Sequence, residues 1–412
     1  MLKPLALLLA LTSLSPAADW PQFLGPTRNG LAAESEAALP DKPDAEPKTL
    51  WQKKIGSGFA GPTVADGKVV IFHRSGDEVL VEALDASDGT QRWKFSAPTD
   101  YRDSFGFDNG PRATPAVAGG LVFAHGADGM LYALDFKTGK LLWSYDSRAD
   151  AGSPQGFFGR ACAPLVVGGK VIITPGGKRG GKPAGVVALD AKSGEVVWQS
   201  VEDEAGYSSP VAYGDPKTPR LLCWMRNDLW SLEAATGAVR HHTRLRSDMD
   251  ASVNAATPIA IGEGDYFLSA EYGVGGSVWT LEPEDAPFEG APLARGLFES
   301  HYSTPVFADH HLYGFTGRQE RGQTLRCIDL NDGKLKWDSP RVPGGTLLMV
   351  HDKLLCVTEE GELWIAKASP GKFEQIATAQ ILRAGHRSYP AYSNGVLFVR
   401  DGEKLVAVRL GR

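Results

Sequence analysis

The chain has 412 residues and a formal net charge of −6 at pH 7. This charge excludes the broad basic surface by which proteins bind nucleic acids or anionic membranes. The 48 glycines and 27 prolines are typical of short strands joined by many turns, and an all-β chain of this kind can exceed the usual length of a single domain.

The first residues have the pattern of a secretory signal peptide, which we assign to residues 1–18. Lys3 precedes an apolar run over residues 5–14, and the small residues Ala17 and Ala18 follow. The run is too short to span a bilayer as a helix, no later stretch is apolar and long enough to do so, and no cysteine marks a lipid anchor. We predict a periplasmic or secreted protein; a membrane anchor is the alternative for this segment.

After an N-terminal extension over residues 19–47, one motif recurs along the chain. In each copy a strand ends at an acidic residue, a glycine follows in a tight turn, and a second strand leads to tryptophan or histidine. The copies that align without gaps are residues 83–93, 133–143, 188–198, 231–241 and 327–337. Their spacing fits one four-stranded propeller blade per copy, and we expect the tryptophans Trp93, Trp143, Trp198 and Trp337 to be buried between blades.

A second recurring element predicts the innermost strand of each blade. It is a proline followed by an apolar residue, because proline is tolerated where a strand begins. The prolines concerned are Pro62, Pro115, Pro164, Pro210, Pro258, Pro305 and Pro390. An eighth innermost strand, without proline, is predicted at residues 345–350. Eight blades follow from this count, and seven is the alternative if the unit near Gly345 is irregular.

The last repeat ends at residues 405–408 with one strand too few. Residues 49–53, which include Trp51, have the pattern of the missing strand. Pairing of this N-terminal strand with residues 396–409 would close the ring and leave no open edge. The prediction is an all-β chain whose residues 48–412 form a single eight-bladed β-propeller of four-stranded antiparallel blades.

The repeated motif resembles that of the PQQ-like β-propeller repeat family, in the quinoprotein alcohol dehydrogenase-like superfamily. The resemblance covers nearly all of the chain after residue 18. Residues 19–30, 110–115, 254–258 and 301–305 are also similar to segments of a secreted bacterial subgroup without assigned activity. Within the superfamily, the periplasmic propeller of the outer-membrane barrel assembly machinery uses this fold to bind partners.

The chain departs from the enzymes of that superfamily in its cysteines. The resemblance to a quinoprotein dehydrogenase implies an adjacent cysteine pair, a tryptophan under the quinone and Ca²⁺ ligands from Glu, Asn and Asp. The cysteines here stand alone in apolar strand patterns, at Cys162, Cys223, Cys327 and Cys356, and we interpret them as small buried residues. The resemblance therefore implies the fold and leaves the activity open.

Residues three or four places before the innermost-strand prolines should meet at one end of the central channel. The candidates for ligand binding are Arg112, Arg160, Tyr207, Asn254, His301, Tyr302 and Arg387. Arginine offers a fixed fork for carboxylates, and aromatic rings offer stacking faces. We expect Arg112, Arg160, His301 and Arg387 to form a basic pocket for a small anionic ligand; the alternative is that these side chains only seal the channel.

The loop over residues 100–110 contains three aspartates and an asparagine. Their oxygens suit Ca²⁺ in chemical type, but the spacing matches no EF-hand, which favours an ordinary solvated loop. We therefore assign no metal ligand, and keep PQQ with Ca²⁺ as the cofactor pair that an enzymatic function would need.

Three functions fit the sequence. The first is a monomeric, non-catalytic binding or scaffold propeller of the cell envelope, whose partners are envelope proteins or a small anionic ligand. The second is a divergent PQQ-dependent oxidoreductase that acts on alcohols or sugars. The third is a carbohydrate-binding propeller. The missing cysteine pair favours the first.

Overall fold

The computed structural model describes residues 18–44, 46–282, 288–385 and 387–411. Within these ranges the chain forms eight four-stranded antiparallel sheets arranged as the blades of a β-propeller. The fold class and the count of eight blades are thus confirmed. The predicted signal peptide, except for Ala18, lies outside the described residues. Among the residues described, no helix is long and apolar enough to cross a membrane.

Each blade has its strands in chain order from the channel outwards, except that the outermost strand of blade 8 comes from the N-terminal part of the chain. Blade 1 contains Thr63–Ala65, Lys68–Ser75, Glu78–Asp85 and Gln91–Pro98. Blade 2 contains Ala116–Ala118, Leu121–His125, Met130–Asp135 and Leu141–Asp146. Blade 3 contains Leu165–Val167, Lys170–Ile173, Val186–Asp190 and Val196–Ser200. Blade 4 contains Val211–Tyr213, Arg220–Trp224, Asp228–Glu233 and Val239–Arg244.

The second half of the ring repeats this arrangement. Blade 5 contains Ile259–Ala260, Asp265–Ala270, Gly275–Thr280 and Gly290–Pro292. Blade 6 contains Val306–Ala308, His311–Thr316, Gln323–Asp329 and Lys334–Val342. Blade 7 contains Gly345–Val350, Lys353–Thr358, Glu362–Lys367 and Gln375–Gln380. Blade 8 contains Ala391–Ser393, Val396–Arg400, Lys404–Arg409 and Lys48–Lys54.

Three short elements lie outside the blades. A helix, Ser147–Ala151, follows blade 2. A two-stranded ribbon, Lys178–Arg179 and Lys182–Pro183, is inserted in blade 3. A 3₁₀ turn, Gln319–Arg321, is inserted in blade 6.

The N-terminal strand closes the ring as predicted. Lys48–Lys54 pairs antiparallel with Lys404–Arg409, with Trp51 opposite Ala407. The indole Nε1 of Trp51 also donates to the carbonyl of Ala86 in blade 1, at 2.9 Å. The strand therefore completes blade 8 as its outermost strand and fastens it to blade 1.

The outer-strand tryptophans join successive blades. Trp93 of blade 1 is 7% exposed, and its Nε1 donates to the carbonyl of Phe136 in blade 2 at 2.9 Å. Its ring lies so close to Gly139 of blade 2 that a Cβ there would be 2.5 Å from the ring. The glycine therefore serves two purposes: it allows the positive φ of the turn, as predicted, and it makes room for the neighbouring tryptophan.

This docking recurs around the ring with one difference from expectation. Trp198 and Trp337 are buried as predicted, whereas Trp143 is only partly buried. The glycines against which the other rings pack are Gly89 under Trp51, Gly194 under Trp143 and Gly237 under Trp198.

Hydroxyl side chains just before three of the innermost-strand prolines link neighbouring blades. The hydroxyl of Ser209 accepts a hydrogen bond from the Ala163 amide at 3.0 Å. Thr257 accepts from the Ser209 amide at 3.1 Å, and Thr304 accepts from the Thr257 amide at 2.9 Å. Each hydroxyl satisfies a buried amide at the start of an adjacent innermost strand, which fixes the geometry of the channel wall.

The N-terminal segment before the closing strand runs through the channel. The Trp20 amide donates to the Val64 carbonyl of blade 1 at 2.8 Å, and the Ala32 amide donates to the Met349 carbonyl of blade 7 at 2.8 Å. Blades 1 and 7 are separated by blade 8, so the segment must cross the channel interior between these two points. The sequence predicted an extension here but not its place in the channel.

Candidate functional site

A cavity of about 370 Å³ lies where the innermost strands begin. Its walls come from the loops that lead into these strands, including those after blades 1 and 2, and from loops inserted within blades 5 and 6. Ten of the lining side chains are aromatic: Phe23, Phe59, Phe105, Phe107, Phe157, Phe158, Tyr207, Tyr272, Tyr302 and Tyr389. The cavity thus lies at the end of the channel where the repeat pattern led us to expect ligand-binding side chains, and its surface is more aromatic than expected.

The rim of the cavity carries exposed phenylalanines. Phe105 and Phe107, on the loop after blade 1, are 54% and 55% exposed. The ring of Phe105 lies 5.2 Å from that of Phe158, on the loop after blade 2. Two neighbouring loops therefore hold an apolar surface at the entrance.

Asp103 organises the first of these loops. Its carboxylate accepts hydrogen bonds from the amides of Phe105, Phe107 and Asp108, at 3.1, 2.8 and 3.1 Å. It also accepts from Nη2 of Arg112 at 3.0 Å. Its oxygens thus hold the loop that the sequence offered as a weak Ca²⁺ candidate, and they fix the direction of the two exposed rings.

Arg112 lies on the wall with most of its donors engaged. Besides Asp103, its Nε donates to the Phe158 carbonyl at 2.7 Å. Its guanidinium carbon is 5.3 Å from the ring centre of Phe59 and 5.8 Å from that of Phe158. The arginine therefore lies over two aromatic rings, and a carboxylate pairs with its guanidinium.

Arg387 is held in a similar way, and its guanidinium also lies near the ring of Phe59, at 5.9 Å from the ring centre. Its Nε lies 3.3 Å from the Glu359 carboxylate, and its guanidinium lies 5.4 Å from the ring centre of Phe107. In the orientation of the Gln319 side chain that satisfies its hydrogen bonds, the amide oxygen of Gln319 accepts from both terminal nitrogens of Arg387. The Tyr302 hydroxyl donates to the same Glu359, and burial raises the pKa of Tyr302 well above its ordinary value.

His301 and Arg318 form the third side. Nε2 of His301 is 2.9 Å from the Tyr272 hydroxyl, and burial lowers the pKa of His301 to about 4, so the ring is neutral at pH 7. Arg318 pairs with Glu320 at 2.9 Å and lies 4.8 Å from the ring centre of Tyr272. Its hydrogen bond lowers the pKa of Glu320 to about 2.

The cavity is consequently balanced in charge. Each of the three arginines on its wall has a carboxylate partner within 3.3 Å, and the histidine is uncharged. The sequence led us to expect a basic pocket, because it showed the arginines but could not show which carboxylates the loops bring beside them. An anionic ligand would have to compete with those carboxylates.

Two of the seven candidate residues lie outside the cavity wall, and five line it. Arg112, Tyr207, His301, Tyr302 and Arg387 are on the wall. Arg160 is buried, and its Nε donates to Ser153 Oγ at 3.0 Å. The Asn254 amide is also buried and donates to the Met225 carbonyl at 2.9 Å. These two side chains hold loop backbones in place.

Tyr207 contributes both a wall and a support. Its hydroxyl accepts from the amides of Phe157 and Phe158, at 2.9 and 3.0 Å. The sequence did not predict those two phenylalanines, nor Arg318, as part of the site. They lie in loops outside the repeated motif, and aromatic clustering in loops 99–110 and 152–160 is the signal that could have indicated them.

The residues present do not fit PQQ held over Ca²⁺. The quinone carries three carboxylates, and in this cavity they would meet arginines that are already paired. No group of three or more His, Cys, Asp or Glu side chains able to hold a metal ion occurs in the described part of the chain. The four cysteines are buried and unpaired, and burial raises the pKa of Cys162 to about 11.

Comparison with known proteins finds the same repeat in envelope and enzyme families. A family model described as outer membrane protein assembly factor BamB matches residues 44–215. The quinohemoprotein alcohol dehydrogenase ADH-IIG of Pseudomonas putida is 37% identical over 161 residues, which are 39% of this chain and 20% of that protein. The chain thus matches only about a fifth of that relative's length.

Two solved structures have the same fold over most of the chain. BamB from Moraxella catarrhalis superposes with a TM-score of 0.64 at 15% identity, over 88% of this chain and 97% of that one. The quinohemoprotein alcohol dehydrogenase of Comamonas testosteroni superposes with a TM-score of 0.66 at 16% identity, over 96% of this chain and 81% of that one. At this identity the likeness concerns the fold alone. The repeated motif, the eight-bladed ring and the sequence matches together make this chain similar to the PQQ-like β-propellers.

Proposed function

We propose that this chain is a non-catalytic binding propeller of the cell envelope, and that its aromatic cavity takes an uncharged, flat apolar group of a ligand or partner. The observation that carries the proposal is the composition of the wall. Ten aromatic side chains surround the cavity, and its arginines are neutralised by carboxylates.

The volume supports a ligand of this class. A dry apolar cavity of roughly 150 Å³ binds benzene, and the cavity here is about 370 Å³. It therefore has room for a group of two or three rings. Ring-on-ring contacts favour such a group beyond the burial of its area, and the paired arginines offer stacking faces.

The envelope location is supported by two features. The family model that matches is described as an outer membrane protein assembly factor, and the sequence begins with a predicted signal peptide. Expression of an epitope-tagged full chain in a Gram-negative host, followed by fractionation, tests this part. Retention of the unprocessed protein in the cytoplasm would contradict it.

The alternative of a quinone-dependent oxidoreductase is favoured by the sequence relatives but not by the site. Stoichiometric binding of PQQ with Ca²⁺, together with dye-linked oxidation of an alcohol, would establish that alternative and overturn the proposal.

Titration with a neutral fluorescent naphthalene, N-phenyl-1-naphthylamine, tests the binding function directly. Phe59→Ala removes a wall ring that stacks on Arg112, and we expect it to weaken binding about tenfold, the effect of roughly 1.4 kcal/mol. The matched control is Leu142→Ser, which removes an exposed apolar side chain on the outer strand of blade 2. An equal loss of probe affinity in both variants would mean that the probe binds exposed apolar surface in general and not the cavity.

A further inference from the structure

One wall residue of the cavity comes from a remote part of the chain. Phe23 is the only described lining residue that precedes the closing strand Lys48–Lys54. Its ring packs edge-on against Tyr389, with the ring centres 4.8 Å apart. Phe23 thus enters the cavity from the segment that runs through the channel, whereas the other lining residues belong to the ring and its loops.

The segment around Phe23 is anchored by buried groups. Leu24 is 2% exposed and Arg28 is 4% exposed. Nη1 of Arg28 donates to the Pro164 carbonyl at 3.1 Å, and its Nη2 donates to the Ala163 carbonyl at 3.3 Å. Both acceptors lie where the innermost strand of blade 3 begins, so the anchor and the cavity share this part of the channel wall.

The backbone of the segment is attached at both ends. Val64 and Trp20 exchange two hydrogen bonds, at 2.8 and 2.9 Å, and the Ala32 amide donates to Met349 at 2.8 Å. Between these attachments the chain carries Phe23 to the cavity. The segment contacts the ring through backbone hydrogen bonds, among them one from the Val117 amide to the Pro21 carbonyl, and through buried side chains. It is not a strand of any blade, so its release would leave the four strands of each blade paired.

We propose that residues 20–30 form a separable floor of the cavity, and that Phe23 sets its depth and therefore the size of the ligand it takes. This inference rests on the proposed function. A ligand that packs on Phe23 gains contacts only while the segment is docked. By linkage, ligand binding then stabilises docking by the same factor by which docking improves binding.

The size prediction is tested with two neutral probes, N-phenyl-1-naphthylamine and the larger pyrene. Phe23→Ala deepens the cavity, and we expect it to raise the affinity for pyrene relative to the naphthalene at least fivefold. Leu24→Ala is the matched control, because Leu24 is buried in the same segment but does not line the cavity. It loosens the segment to a similar degree and should leave the affinity ratio unchanged.

Hydrogen exchange on the unmodified protein tests the coupling independently. Saturation with the better probe should slow exchange of the amides in residues 20–32 at least fivefold, while amides of the outer strands, such as Val196–Ser200, keep their rates. An unchanged affinity ratio in Phe23→Ala, or unchanged exchange in residues 20–32, would refute the separable floor and leave the binding function standing. Failure of the unmodified protein to bind either probe would overturn both proposals.

Discussion

The docking of a tryptophan on the turn glycine of the next blade can be measured with one pair of substitutions. Gly139 has φ +72°, and a Cβ there would lie 2.5 Å from the ring of Trp93. Gly333 holds the corresponding place in blade 6 with φ +64°, but a Cβ there would meet nothing within 4 Å. Gly333→Ala therefore measures the backbone cost alone, and Gly139→Ala adds the clash.

The magnitudes follow from these two geometries. A left-handed conformation costs an L-residue roughly 1–2 kcal/mol, which is the expected loss of unfolding free energy for Gly333→Ala. Gly139→Ala also displaces a tryptophan that is 7% exposed and bonded to Phe136. Loss of a buried tryptophan side chain costs roughly 3–5 kcal/mol, so a total loss of about 4 kcal/mol or more is expected.

The assay is guanidinium denaturation, followed by circular dichroism, of the two single variants and of Trp93→Ala with and without Gly139→Ala. Once the ring is absent, Gly139→Ala should cost no more than Gly333→Ala does. Equal losses for the two glycine variants in the otherwise unmodified protein would refute the view that tryptophan docking, beyond positive φ, requires glycine in this turn.

Three further predictions concern closure, loop order and pH. Trp51→Ala should lower the unfolding free energy by about 3–5 kcal/mol, because Trp51 joins the closing strand to Ala86; an unchanged denaturation midpoint would contradict this role. Asp103→Asn should lower the unfolding free energy by about 3 kcal/mol. It should also speed hydrogen exchange at Phe105 and Phe107, whose amides donate hydrogen bonds to Asp103; exchange at the parent rate would contradict this role. Burial lowers the pKa of His125 to about 4 in the folded protein, below its value of about 6.5 in an unfolded chain. The unfolded state therefore takes up the proton first as the pH falls. The neutral His125 contributes up to about 3 kcal/mol to the unfolding free energy above pH 6.5, and this contribution is lost as the pH falls towards 4. His125→Asn should flatten that part of the stability profile, and a profile of unchanged slope would show that other groups cause it.

The chemistry of the cavity bears on how members of this fold diverge. The propeller supplies a channel whose mouth is formed by loops, and these loops decide what the mouth can hold. Here Asp103, Glu359 and Glu320 each neutralise an arginine, while phenylalanines fill the spaces between them. The same ring with unpaired arginines would favour polycarboxylates, which is the ligand class that the sequence alone suggested.

The sequence by itself determined the ring. Turn glycines, innermost-strand prolines and the blade-spaced tryptophans are local features that recur at the spacing of a four-stranded blade, and the count of innermost strands favoured eight blades over seven. The same pattern also indicated which loop residues approach the channel, since Arg112, Tyr302 and Arg387 each lie three places before an innermost-strand proline.

Only the tertiary structure decided the character of the site. Pairing of Arg112 with Asp103, or of Arg387 with Glu359, depends on the path of loops that do not follow the repeat, and Phe23 reaches the cavity from a segment that contains no blade strand. Arg160 and Asn254 lie four places before their prolines, as His301 does, yet they turn into the loop backbones whereas His301 lines the cavity. A repeat fixes the position of a backbone in the ring, whereas the direction of a side chain depends on contacts between segments far apart in sequence.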